Sequence, residues 1–312
     1  MSRTLPHHLE PYLALPDEAA LVVLTGILGA STNWLVLRYL YSFLKAPATL
    51  PARQQPTGLG EKDKEVSVLL VSFLRDFNFW KEGAGRLGVD LEGLSRRGRF
   101  GFVDGLGRLF LGGVNGEGAA PAPAPVQRGV GGGLLAQRGL PVRAAPGGGS
   151  AGGGRWTITN PAVIEVGRVL RMAVDELAAK GREVVLVVDQ LDFLLAAAGG
   201  EGGIVGVELR EVLLELRENT HAAVITLSAD EPLINAQTTG LEKEHVSFVM
   251  SLAHEAQTVV SLRLLDTGTA KDVSGVMRIT SGGDDSGALV EERELLYHVG
   301  GDAGVRVFER GQ

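Results

Sequence analysis

The chain has 312 residues, 45% of them apolar, enough for one large or two small domains with a real core. Its formal net charge of -7 excludes a protein that coats nucleic acid by bulk attraction, so any such contact must come from a local patch. The lack of cysteine excludes disulfides and thiolate metal sites and fits a reducing compartment.

Residues 1–20 read as an N-terminal tail. Its Pro and acidic residues stand where a secretory signal needs a basic start and an unbroken apolar core, so no export signal is expected. Leu21 to Leu44 is long enough to suggest a membrane span, but Asn33 and Arg38 lie inside it and Gly26 and Gly29 divide it into strand and helix. The same stretch has the frame of a phosphate-binding loop, in which backbone N–H groups and a Lys converge on nucleotide phosphates between a strand and a helix. Counting from Gly26, the second glycine of that motif falls on Ser31, the lysine on Thr32 and the Mg²⁺-binding hydroxyl on Asn33. The scaffold is present and the charge is missing, which points to a nucleotide-binding fold without its own catalysis.

Further along, VSVLLVSF (66–73) and FGFVDGL (100–106) read as strands, with one helix between them from Asn78 to Leu94. Arg96, Arg97 and Arg99 follow that helix and offer contacts to an RNA backbone or an acidic partner, or else form a solvated helix end. From about 111 to 155 Gly, Ala and Pro replace patterned sequence; Arg128, Arg138, Arg143 and Arg155 make this segment weakly basic, and it reads as a disordered insertion. Gly148, Ser150 and Gly152 match a nucleophile-elbow motif literally, but in low-complexity sequence the match is chance.

Asn160 and Pro161 then mark the start of a helix over 161–180, ended by Gly181. Val184 to Val188 is a continuous apolar run, the mark of a central strand in a parallel sheet covered on both faces. A helix carrying Leu209, Leu213 and Leu216, a strand at 222–229, a helix carrying Val246, Val249 and Met250 and a strand at 258–265 continue the alternation. Short strands at GVMRIT, ELLYHV and VRVFE, joined by glycine-rich turns, predict antiparallel hairpins on one edge. The fold class is α/β, a mostly parallel central sheet flanked by helices.

Asp189 ends its strand where the second acidic motif of phosphate-loop ATPases holds Mg²⁺, although an Asp there also caps turns in any α/β fold. Asp76 lies near the position of a water-orienting base, where no Glu is found. The six histidines show no metal-ligand spacing, and His245 and His254 read as helix residues at the edge of packing. No metal site and no catalytic residue is expected, and Gly26, Ser31, Thr32, Asn33 and Asp189 are vestigial positions of a nucleotide site.

In this order, VVLTGILGASTNW, VSFLRDFNFWKEGAGRLGVDL, VVLVVDQLDFLL, ELREVLLELRENTHAAVITLSADEPLI, LEKEHVSFVMSLAHEA and LRLLDTGTAKDVSGVMRIT resemble the Elongator protein six family of RecA-like subunits. The resemblance covers most of the chain outside the tail and the insertion. It implies a single RecA-like domain over 21–312, without a cofactor of its own, in a hexameric ring with Elongator proteins four and five. Such a ring binds tRNA, attaches to the catalytic and scaffold Elongator subunits and supports wobble-uridine modification in cytoplasm and nucleus. A missing Lys is compatible with that family; the long insertion is a departure. Two alternatives share the fold: an active RecA/KaiC-like ATPase with a divergent phosphate loop, in which Asp189 holds Mg²⁺ and Asp76 positions water, and a recombinase-paralogue adaptor of DNA repair.

Overall fold

In the computed structural model residues 5–45, 65–110, 153–198, 205–266, 270–283, 290–301 and 304–310 are described. The N-terminal segment starts with a 3₁₀ turn and α1 (Glu10–Leu13), followed by β1 (Leu21–Gly26) and α2 (Asn33–Leu44). Then come β2 (Ser67–Ser72), α3 (Phe77–Arg86), α4 (Leu91–Arg96), β3 (Phe100–Asp104) and β4 (Arg155–Thr157). The second half runs α5 (Val163–Ala178), β5 (Val184–Asp189), α6 (Phe193–Ala198), α7 (Val205–Glu218), β6 (Ala222–Ser228), α8 (Glu231–Asn235), α9 (Gly240–Glu255) and β7 (Thr258–Arg263). Three closing strands are β8 (Gly275–Ser281), β9 (Arg293–Val299) and β10 (Val305–Phe308).

The ten strands of the described residues form one sheet in the order β10-β9-β8-β7-β1-β6-β5-β2-β3-β4. From β7 to β4 every pairing is parallel, and from β7 to β10 every pairing is antiparallel. The unbroken apolar runs have a direct cause. Val22 and Leu24 of β1, with Val185 and Val187 of β5, pack beneath α1 to α4, whereas Leu21, Val23, Leu186 and Val188 pack beneath α5, α6, α7 and α9. Both faces are dry, and each fully buried aliphatic side chain stabilises the fold by roughly 1.5–3 kcal/mol.

Several expectations change. The helix expected over Asn78 to Leu94 is two helices: Gly88 takes φ +83, and the Asp90 side chain caps a new start by accepting the Gly93 N–H at 3.0 Å. Asn160 accepts from Ala162 N at 2.9 Å, one step ahead of the helix, so α5 begins at Val163 rather than at Pro161. Residues 5–20 are docked rather than trailing. Leu9 and Leu13 are buried, Tyr39 Oη donates to Tyr12 O, and Ala19 N donates to His221 O. Arg155, expected inside the insertion, opens β4, where its guanidinium stacks 3.7 Å from the Phe77 ring centroid. Residues 111–152, with Arg128, Arg138, Arg143 and the Ser150 motif, lie outside the described residues. Among the described residues no helix is long and apolar enough to cross a membrane.

Candidate functional site

In an open parallel sheet ligands bind beyond the carboxyl ends of the strands, where the strand order reverses. Here that place is the mouth between β1, β6 and β5, since the chain leaves β1 and crosses β6 and β5 to form β2. Three loops meet there: the one after Gly26, the one after Asp189 and the one after Ser228.

Asp189 lies at the centre and is fully buried. Ser72 Oγ, at the end of β2, donates to its Oδ2 at 2.8 Å, and Thr226 Oγ1 of β6 donates to its Oδ1 at 3.3 Å. Burial pushes this carboxyl up to about 6, against the two hydroxyl bonds and the Arg75 guanidinium, which oppose the rise. Each carboxylate oxygen is thus engaged by the protein itself. Gln190 follows at φ +57 and turns back over β6, its N–H reaching Thr226 Oγ1 at 2.8 Å and its Oε1 accepting from Ser228 Oγ at 2.8 Å.

Ser228 has all three polar groups held. Besides Gln190, its N–H donates to Asp192 Oδ2 at 3.2 Å and its carbonyl meets His245 Nε2 at 3.0 Å. A carbonyl only accepts, so Nε2 carries the proton, and Nδ1 faces Asp192 Oδ2 at 3.9 Å. Burial raises the Asp192 carboxyl, with His245 opposing the shift, and its Oδ1 is buried without a hydrogen-bond partner. His245 is therefore a buried tie between α9 and β6, not the edge residue that its sequence context suggested.

The loop after β1 is drawn in on itself. Ala30 N donates to Ile27 O at 2.8 Å, closing a tight turn with Gly29 at φ +91 and Leu28 87% exposed at the tip. Leu28 N donates to Asp230 Oδ1 at 2.7 Å, and Asn33 N to Ser31 Oγ at 3.2 Å. Thr32 is buried, and a Cβ added at Gly26 would stand 2.9 Å from Ala30 O and 3.2 Å from Thr32 Cγ2. A phosphate cradle needs outward-pointing, unclaimed amides and positive charge. This loop supplies internal bonds and an acidic neighbour.

Gly26 ends β1, Ser31, Thr32 and Asn33 follow it into α2, and Asp189 ends β5, two strands away in the sheet. The structure does not bring the basic run together: Arg96 and Arg97 are exposed, whereas Arg99 is only 7% exposed and pairs with Glu65 Oε1 at 3.0 Å. Asp76 caps α3 by accepting from Phe79 N at 2.9 Å, the ordinary work of an Asp before a helix. Sequence reasoning missed Ser72, Thr226 and Asp230. The signal for the first two was a hydroxyl residue near the carboxyl end of an otherwise apolar strand. Among the described residues no group of three or more His, Asp or Glu side chains is placed to hold a metal ion.

No family model matches the chain, and no curated protein matches it. Among solved structures it is similar to a KaiC-like protein of the hyperthermophilic archaeon Pyrococcus horikoshii OT3, with a TM-score of 0.51 and 14% identity. The match covers 93% of this chain and 90% of that one. Identity this low bears on the fold alone. The chain has a RecA-like fold, a mostly parallel sheet extended by antiparallel C-terminal strands.

Proposed function

We propose that the chain is a RecA-like ring subunit without nucleotide hydrolysis of its own: a partner of Elongator proteins four and five in a hexameric ring that binds tRNA. The ring would attach to the catalytic and scaffold Elongator subunits and support modification of the wobble uridine, in cytoplasm and nucleus. One observation carries the non-catalytic half of this reading. The Asp230 carboxylate takes the Leu28 N–H of the loop, so an anion of the protein stands where a phosphate would need the amide. Without the Lys, the Mg²⁺-binding hydroxyl and a placed base, contributions typically worth several kcal/mol each to phosphoryl transfer are missing. The Elongator half rests on the ordered resemblance of six segments that span β1 to β8.

Physically the two halves are compatible. A head-to-tail contact that closes on itself gives a ring, and a subunit can lose its phosphate loop while keeping the surfaces that complete its neighbours. The test is light scattering of the purified chain, alone and co-expressed with Elongator proteins four and five. A small species alone and a stable mixed hexamer with the partners are expected. A folded chain that fails to join them overturns the ring reading. Magnesium-dependent ATP binding by the isolated chain overturns the non-catalytic reading in favour of an active KaiC-like ATPase.

A further inference from the structure

β10 ends the sheet, and among the described residues no strand pairs with its far side. Ladder alternation tells which of its backbone groups face outward. Gly300 N donates to Gly304 O at 2.8 Å, which marks that pair as the hydrogen-bonded kind. Counting on through the register, Arg306, opposite His298, turns its N–H and C=O toward β9, whereas Val305 and Val307 turn theirs to the open edge. β9 agrees. Val299 N–H bonds Ser274 Oγ and Tyr297 O accepts from Ser274 N, so both point away from β10. Edge strands are ordinarily blunted by shortness, charge, Pro or a bulge; Val305–Phe308 is short and carries Arg306 but has no Pro, and among the described residues no strand takes the outward groups of Val305 and Val307.

A groove of about 940 Å³ runs along all four residues of this strand and is lined further by Leu296, Asp272, His7 and His8. Arg306 and Phe308 share one face of the strand, with Leu296 opposite Phe308. Arg306 is exposed and makes no ion pair among the described residues. We infer that the β10 edge is a docking site for an extended acidic segment of a partner protein, which adds an eleventh strand to the sheet. That strand bonds the outward N–H and C=O groups of Val305 and Val307, sets a carboxylate against Arg306 and, two residues away, an apolar side chain against Phe308 and Leu296.

Two other occupants fit less well. The chain's own Gly/Ala/Pro-rich segment is weakly basic and does not complement Arg306. A second copy paired about a two-fold axis through the strand sets two Arg306 side chains within a position or two of each other, like charge against like. The inference does not depend on the ring reading, because no described strand pairs with this edge whether or not the mouth of the sheet binds nucleotide.

The probe is a labelled heptapeptide of threonines carrying one Glu and, two residues away, one Val, titrated with the full chain by fluorescence anisotropy. Saturable binding is expected, weakened about two- to fivefold when Glu is replaced by Lys, the scale of one exposed ion pair. Arg306→Glu should reverse that preference in favour of the Lys peptide. Methylating the peptide backbone at alternate nitrogens, in the phase that faces β10, should abolish binding while leaving every side chain in place. No binding at millimolar peptide, binding indifferent to N-methylation, or a chain whose β10 edge is already consumed in a self-dimer on light scattering each overturns the inference.

Discussion

Asp189→Asn should stabilise the protein near pH 7.5, although Asp189 lies at the centre of the candidate site. Burial holds its carboxyl at about 6 in the fold, well above the ordinary carboxylate range. A carboxyl raised by burial is more stably protonated in the native state than in the unfolded chain. Between about pH 4 and 6 the native state therefore binds more protons, and stability falls as pH rises through that window. A rise of about two pH units corresponds to ~3 kcal/mol of stability given up above pH 6 and regained below pH 4. Asn cannot ionise; its oxygen accepts from Ser72 and its amide donates to Thr226, at a re-pairing cost of ~1 kcal/mol. The net expectation is a gain of ~1–2 kcal/mol at pH 7.5 and a loss of ~1 kcal/mol at pH 4. Urea unfolding of both proteins at the two pH values measures this, and the difference between them cancels the titration of all other groups. A variant destabilised equally at both pH values refutes the reasoning, because the carboxylate would then be favourably bound in the fold.

Gly88→Ala distinguishes two helices from one by the sign of its effect. At φ +83, with open space around the position, the added methyl costs ~1 kcal/mol, whereas in one continuous helix it would stabilise by a similar amount; thermal melts decide. Thr239→Ala removes one half of the capping box of α9, in which Thr239 Oγ1 accepts from Glu242 N and Glu242 Oε2 accepts from Thr239 N, and should cost ~1 kcal/mol in urea unfolding. Trp80→Ala empties a fully buried site under α3 and should cost ~3–5 kcal/mol, read as a fall in the urea midpoint without a change in slope.

What could be read from the chain followed the range of the interactions. Periodicity and punctuation are local, so the strands at 66–73, 184–188, 222–229 and 258–265 and the helix ending near Gly181 lie within a few residues of the observed elements. The break at Gly88 was also legible, since Gly followed by a capping Asp90 is a stop and a start, but apolar spacing on either side masked it. Contacts between distant residues left no such trace. Nothing in the sequence ties Ser72 to Asp189, 117 positions away, or Leu28 to Asp230, 202 positions away. Arg99 looked like its exposed neighbours Arg96 and Arg97 because a run of charge does not say which member the strand turns inward.

The strand order also constrains how the chain is made. β1 is synthesised well before its neighbours β6 and β7, with Leu21 opposite Ala223 and Val22 opposite Thr258. At ribosomal rates of ~5–20 residues per second, β1 waits about 10–50 s before both partners have been translated. During that interval an unpaired apolar strand is exposed on a nascent chain, the condition that recruits chaperones and favours aggregation. N-terminal fragments that end before Ala222 leave this strand without either neighbour, and they are expected in the insoluble fraction on expression.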